Sequence, residues 1–421
     1  MLAHILTCLC LSLATAAPWH TSATSGPEDP PPDVLTMAKG KAQKGVLLRM
    51  DENGVWLAQK SRIKHFELDE VVGMEGPRVV YPEYLEKLRA EFREPPNAER
   101  STELGNWCVE NGLVRDAQIF FWRALLDQSN YAPAHEALGH RKKRGIYQIP
   151  VKGKGKMDFQ ELREFRQSHF KNGWEFTTAH FNVQASCDLP DLLNACADLE
   201  LVYESYYKSF QSIVGFWETR DPMNVQIYAT RDDMPPISGN VGAYFKPDTR
   251  TLYCYFKDGV AEGLIHEAVH AVMHGSIREF ARDEPAIPGW FWEGCANYFA
   301  KALTGNPGDR AFTPDQPDME LVEALLDHDR PDSIQRVMNY QAGDFMASTD
   351  QQLKYASSYA LFFYLMNSGE EEMLEKFHTF IASVYERKGS STHFKKIMQI
   401  RDWDDFQEEW WKFVEAMKSQ D

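Results

Sequence analysis

Gly263-Leu264-Ile265-His266-Glu267-Ala268-Val269-His270-Ala271-Val272-Met273 is the stretch on which the reading of this chain turns. Its two histidines stand four residues apart, so on a helix they share one face about 6 Å apart and can converge on one tetrahedral Zn²⁺. Glu267, next to the first imidazole, is placed to act as general base toward a water activated by that metal. The flanks are apolar throughout, as a helix buried inside a catalytic domain requires and a surface helix does not.

Two imidazoles leave a catalytic zinc site one protein ligand short. Downstream, Pro288-Gly289-Trp290-Phe291-Trp292-Glu293-Gly294-Cys295-Ala296-Asn297-Tyr298-Phe299-Ala300 opens with helix-start residues and continues as an apolar helix with one acid, Glu293. A carboxylate among aromatic rings is costly to bury without a positive partner, which makes Glu293 the candidate third ligand. His274 is on the same face as His270 but about 12 Å along the helix from His266, too far to share its metal, and reads as a rim residue. No further histidine follows at the spacing that would supply a third imidazole.

His266-Glu267-x-x-His270 followed by Trp290-x-x-Glu293-Gly294-x-Ala296-x-Tyr298 resembles the gluzincin pattern of the peptidase-MA-like zinc metallopeptidases. The resemblance covers about residues 173 to 415 and extends to a secreted family of unassigned function with such a core. It implies an α+β fold: a zincin-like domain of mixed sheet, the two-histidine helix and a mostly helical C-terminal part. It also implies peptide-bond hydrolysis with His266, His270 and Glu293 on the metal. Val269 stands where threonine is frequent in these families, which loosens expectations about groups supporting the ligands. Such enzymes often add a tyrosine or histidine donor to the developing oxyanion. Tyr355 and Tyr359, four apart in Lys354-Tyr355-Ala356-Ser357-Ser358-Tyr359, are the candidates, and both could equally be core tyrosines. Tyr355 is preferred because Lys354 and Ser357 suggest that its end of the helix is nearer solvent.

Residues 1–17 contain no Lys, Arg, Asp or Glu and end in Ala14-Thr15-Ala16-Ala17, which reads as a secretory signal peptide cleaved near Ala16 or Ala17. It departs from the usual pattern in lacking a basic start, and it is too short for a membrane anchor. The expected location is extracytoplasmic, secreted or periplasmic. Cys108, Cys187, Cys196, Cys254 and Cys295 remain; Cys187 and Cys196 could pair, or all five could be buried thiols. A formal charge of −17 argues against nucleic acid or an anionic membrane as partner.

Ser25 to Pro32 is polar and proline-rich, and residues 18–37 read as a linker. Gly45–Met50 and Val55–Lys60 flank Asp51-Glu52-Asn53-Gly54, a hairpin signal, and with Ile63–Leu68 suggest a small SH3-like β-barrel over 38–80. Residues 81–150 read as tetratricopeptide-like helices, offering either a protein-binding surface or a spacer that packs on the rest. Lys152 to Lys156 reads as a flexible break, and 151–421 as the zincin-like metallopeptidase domain. There the pattern predicts strands at Phe176–Val183 and Asn224–Tyr228 and a long helix from Leu189 to about Phe216. A hairpin follows at 241–245 and 251–256, its first strand the candidate to hold substrate backbone. His180 reads as a satisfied histidine, and Trp403, Trp410 and Trp411 as packing anchors of a helical C-terminus.

The expected function is thus a secreted zinc metallopeptidase with a peptide or protein substrate and Glu267 as general base. The alternatives are a non-catalytic binding scaffold on a peptidase-like core, or a zinc hydrolase of a non-peptide amide.

Overall fold

A computed structural model describes residues 30–418, apart from 61, 218, 220, 236–241, 258–259, 262, 281–286, 329–330 and 346–349. The signal-peptide reading at 1–17 lies outside the described residues. β1 (Asp33–Met37), β2 (Gln43–Asp51), β3 (Gly54–Gln59), β4 (Arg62–Phe66) and β5 (Val71–Glu75) form an antiparallel sheet in the order β4-β3-β2-β1-β5. β1 falls within the stretch read as linker. Its anchor is Asp33, whose buried carboxylate accepts the amides of Leu47 at 2.8 Å and Arg78 at 3.1 Å. The expected barrel does not close, since β4 and β5 are unpaired edges among the described residues. After β5 the chain turns at Gly76 into a helix whose Val79 packs on the small core of Leu35, Leu47, Val55 and Leu57. A helix can cover a sheet's apolar face as well as closure can.

That helix is α1 (Pro77–Arg93), followed by α2 (Ala98–Glu110), α3 (Ala117–Asp127) and α4 (Ala132–Ala137). Buried Glu91 ties three of them together, accepting from Arg100 at 2.6 Å, Ser101 at 2.6 Å and Arg123 at 3.1 Å. α3 is buried all round, from Ile119 through Leu125, so these helices use their apolar surface on the chain itself. The helical stretch ends earlier than the sequence suggests. β6 (Arg141–Lys143), β7 (Ile146–Val151) and β8 (Gly155–Met157) form a three-stranded meander, and Lys152 to Lys154 are only the turn between its last two strands.

After α5 (Phe159–Gln167) come β9 (Trp174–Thr177), β10 (Phe181–Ala185), α6 (Leu189–Val214), β11 (Met223–Tyr228), β12 (Ala243–Lys246), β13 (Thr251–Lys257) and the short β14 (Val260–Ala261). They build a mixed sheet, β12-β13-β11-β10-β9, with β14 on β13. β10, β11 and β13 run parallel, and β9 and β12 are antiparallel edges. Parallel neighbours need a long crossover, and α6 supplies it between β10 and β11. The single strand expected over Phe176–Val183 is instead a hairpin, broken because Glu200 of α6 takes the amide of His180 at 3.0 Å and its Nδ1 at 2.7 Å. Tyr81 of α1 donates to the same carboxylate, and Asp116 before α3 accepts the amide of Ala179 at 3.1 Å, which docks the N-terminal helices on the sheet.

The rest is mostly helical: α7 (Leu264–Phe280), α8 (Gly289–Ala302), α9 (Met319–Leu326), α10 (Ile334–Val337), α11 (Gln351–Asn367), α12 (Glu371–Tyr385), α13 (Ser391–Ile397) and α14 (Trp403–Lys418). One continuous core runs from α1 to α14, with Trp410 fully buried and Trp403 and Trp411 packed against it. All five cysteines among the described residues are buried free thiols, Cys187 and Cys196 included. Among these residues no helix is long and apolar enough to cross a membrane.

His135 of α4 and His140, just before β6, form a titratable pair. His135 Nε2 donates to the Ser129 carbonyl at 2.9 Å, so its Nδ1 is left to accept from His140 Nδ1 at 2.8 Å, and both rings are neutral. Burial, and then His135, hold His140 down to about 3. The folded state therefore favours the neutral ring, and the stabilisation present above the unfolded value of about 6.5 is lost as pH falls toward about 3. Moving from about pH 7.5 to about 4.5 is expected to cost wild type on the order of 2 kcal/mol more than His140→Asn, which keeps a donor but does not titrate. Denaturant titrations at the two pH values test this, and equal losses would refute it.

Candidate functional site

α7 and α8 pack against each other and bring three candidate ligand atoms together. His266 Nε2 lies 3.1 Å from His270 Nε2 and 3.2 Å from Glu293 Oε2, and His270 Nε2 lies 3.4 Å from the same oxygen. Donors at about 2.0–2.1 Å from a tetrahedral ion are separated by about 3.3–3.4 Å, so this triangle has the size of one face of a zinc coordination shell. Glu267 is nearby, its carboxylate within 4.8 Å of the two imidazoles. Glu293 is closer to both Nε2 atoms, so the geometry favours it as the third ligand and leaves Glu267 beside the shell.

Tautomers fit the same reading. His266 Nδ1 is 3.0 Å from Asn297 Oδ1, an oxygen that can only accept, so Nδ1 carries a proton and Nε2 is the atom turned toward Glu293. Asn297 is one helical turn beyond Glu293, so α8 carries both an expected ligand and the group that orients another. Among the described residues, His270 Nδ1 has no hydrogen-bond partner. Its ring is instead held flat on Trp292, 4.5 Å between centroids and 5° between planes. Burial opposes ionisation of Glu293, but the facing His270 charge and hydrogen bonds from His266 and His270 bring its carboxyl down to about 2. Burial likewise opposes charging of His266, and the Glu293 hydrogen bond with the Glu267 charge outweighs it and raises the imidazole. Glu293 and Glu267 thus favour positive charge at His266.

The sheet edge orients Glu267, whose Oε2 accepts the Phe245 amide at 2.8 Å. The described part of the strand expected at 241–245 begins at Ala243, and that edge spends one amide on Glu267. Gly263 at the start of α7 has φ +66°, and a Cβ there would come within 2.9 Å of the Ala243 side chain. Glycine therefore serves both the left-handed backbone and the close approach of helix and strand.

The two tyrosines separate clearly. Tyr359 is 1% exposed and its hydroxyl accepts the Asp318 amide at 2.6 Å, at the start of α9, a structural duty. Tyr355 has its ring centroid 6.3 Å from that of His266, edge to face. Burial, then the Glu293 charge, holds its hydroxyl well above the usual range, so it remains a proton donor. The reason for expecting it there was wrong, because Lys354 and Ser357 are buried and Lys354 Nζ donates to the Asp344 carbonyl at 3.0 Å. What brings Tyr355 in is Gly294, where a Cβ would meet the Ser358 carbonyl oxygen at 2.5 Å, so only glycine lets α11 lie this close to α8. His274 is buried near the Phe245 ring, and His180 belongs to the Glu200 network; neither joins the ligand set.

Asn297, Trp292 and the Phe245 amide have no part in the sequence reading. Of these only Asn297 left a signal, its spacing of four from Glu293.

Residues 260–385, a stretch that includes α7, α8 and Tyr355, match a family described as a protein of unknown function (DUF1570). No curated protein matches the chain.

Asn297→Leu, which removes the acceptor that fixes the His266 tautomer, is expected to weaken Zn²⁺ binding about 10–100-fold. Chelator competition reads this directly, and an unchanged affinity would mean that Asn297 does not orient the ligand.

Proposed function

We propose that this chain is a zinc-dependent metallopeptidase of the gluzincin kind, exported from the cytoplasm, that hydrolyses peptide bonds. The observation that carries the reading is the triangle of His266 Nε2, His270 Nε2 and Glu293 Oε2, with sides of 3.1 to 3.4 Å and Glu267 at its margin. The donor set of two imidazoles and a carboxylate suits zinc among the common divalent ions. Export rests on the uncharged, apolar stretch at residues 1–13 followed by small residues.

Zn²⁺ held by His266, His270 and Glu293 would polarise a substrate carbonyl and lower the pKa of a water to roughly 7. Glu267, aimed by the Phe245 amide, takes the proton from the attacking water and passes it to the leaving amine. Its second oxygen is free of that hydrogen bond and serves as the base. Tyr355, kept protonated, donates to the oxyanion as the carbonyl carbon becomes tetrahedral. The β12 edge beside Glu267 favours an extended peptide over a compact amide, because strand addition aligns a substrate backbone along such an edge.

Elemental analysis and peptide-library hydrolysis on the purified full chain test the reading together. Wild type is expected to hold about one zinc per chain and Glu293→Ala to lose it. Glu267→Gln is expected to keep the metal while kcat/KM falls about 10²–10⁴-fold. A wild type that takes up no metal when zinc is supplied would overturn the proposal. Tyr355→Phe is expected to keep the metal and lower kcat about 10²–10³-fold with KM nearly unchanged; an unaltered kcat would remove Tyr355 from the reaction.

A further inference from the structure

A cavity of about 410 Å³ opens beside His266 and Asn297, on the side of the metal triangle where α7 begins. This volume is in the range of sites that enclose small ligands or long side chains. Its walls are largely apolar, with Phe256, Leu264, Ile265, Ala195 and Pro307 contributing. Four charged residues also line it: Asp191 and Asp198 from α6, Lys301 from α8, and Arg310.

Three of the four are already matched. Asp198 accepts the Gly308 amide at 2.8 Å and Arg310 Nε at 3.0 Å. Lys301 Nζ is 2.9 Å from Asp318 Oδ2. Asp191 differs, since among the described residues no cation or hydrogen-bond donor pairs with it. Its neighbour Asp188 is itself taken up by Arg163 Nη2, at 2.8 and 2.7 Å from its two oxygens. Burial, and then the Asp188 charge, raise the Asp191 carboxyl, as expected for an anion lacking a compensating charge. The cavity therefore joins apolar walls beside His266 with a half-buried, unmatched carboxylate.

We propose that this cavity selects the substrate: it takes a long aliphatic side chain ending in a cation, a lysine or arginine, stem against Leu264, Ile265 and Phe256 and head at Asp191. A long cationic side chain is the natural occupant, because its methylene stem tolerates apolar walls while its head needs a polar end. An acidic side chain reaching the same end would meet the unmatched Asp191 carboxylate and be disfavoured by like charge. This inference rests on the metallopeptidase reading and adds a preference for basic residues next to the cleaved bond.

The test uses three dipeptide hydroxamates, identical except for a lysine, norleucine or glutamate side chain beside the zinc-binding group. Each is titrated calorimetrically into the zinc-loaded full chain, wild type and Asp191→Asn. Wild type is expected to bind the lysine compound at least about tenfold more tightly than the norleucine one, and the glutamate compound most weakly. Asp191→Asn is expected to abolish the lysine preference while leaving norleucine binding unchanged, which also shows that the variant is folded. Asp191→Lys is expected to turn the preference toward glutamate. Normal binding of the norleucine compound without a lysine preference overturns the cavity assignment and leaves the metal reading intact. Failure of all three compounds to bind, with no zinc retained, overturns the metal reading and this inference with it.

Discussion

The carboxylate of Glu293 sits between α7 and α8, facing the two histidine rings of α7, and much of the surrounding structure answers to that placement. An isolated carboxylate in such surroundings costs several kcal/mol to ionise, and the two imidazoles offset that cost. Because the histidines are one turn apart on α7, they can face a single oxygen only if α8 crosses at their level. The small residues of α8 allow this. Gly294 admits α11 on one side, and Asn297 reaches across to His266 on the other.

The sheet enters the same arrangement from its edge. β12 holds Glu267 through a backbone amide, a hydrogen bond that does not depend on which side chain β12 carries at that position. The geometry of the acid is thereby tied to the register of β12 on β13 and so to the whole mixed sheet. The N-terminal helices are joined to that sheet through Glu200 and Asp116, and Glu91 clamps them to one another, so the N-terminal half braces the β9–β10 end of the sheet.

Features legible in the sequence were those in which local periodicity and local cost coincide. The His266 and His270 spacing, the lone acid at 293, the long helix from Leu189 and the hairpin before α7 all follow from patterns within about a dozen residues. The barrel did not follow, because whether a sheet closes depends on what covers its open side, here Val79 of α1. β1 was hidden by neighbouring prolines, and its anchor, Asp33, acts through partners 14 and 45 residues away. Spacing puts Tyr355 and Tyr359 on one face alike; what separates them is contact with α9 and the close approach at Gly294, which no spacing rule contains. Asn297, Trp292 and Phe245 were missed for the same reason: their roles exist only once helices and strand meet.

The five buried thiols have a consequence for how this core is held together. Burial pushes every one of them above the ordinary thiol value, so the thiolate that drives exchange and metal capture is scarce at neutral pH. No disulfide crosslinks the core among the described residues. Among the described residues the core is therefore packed by side-chain contact alone, and its thiols are poorly placed to exchange with one another or with small disulfides.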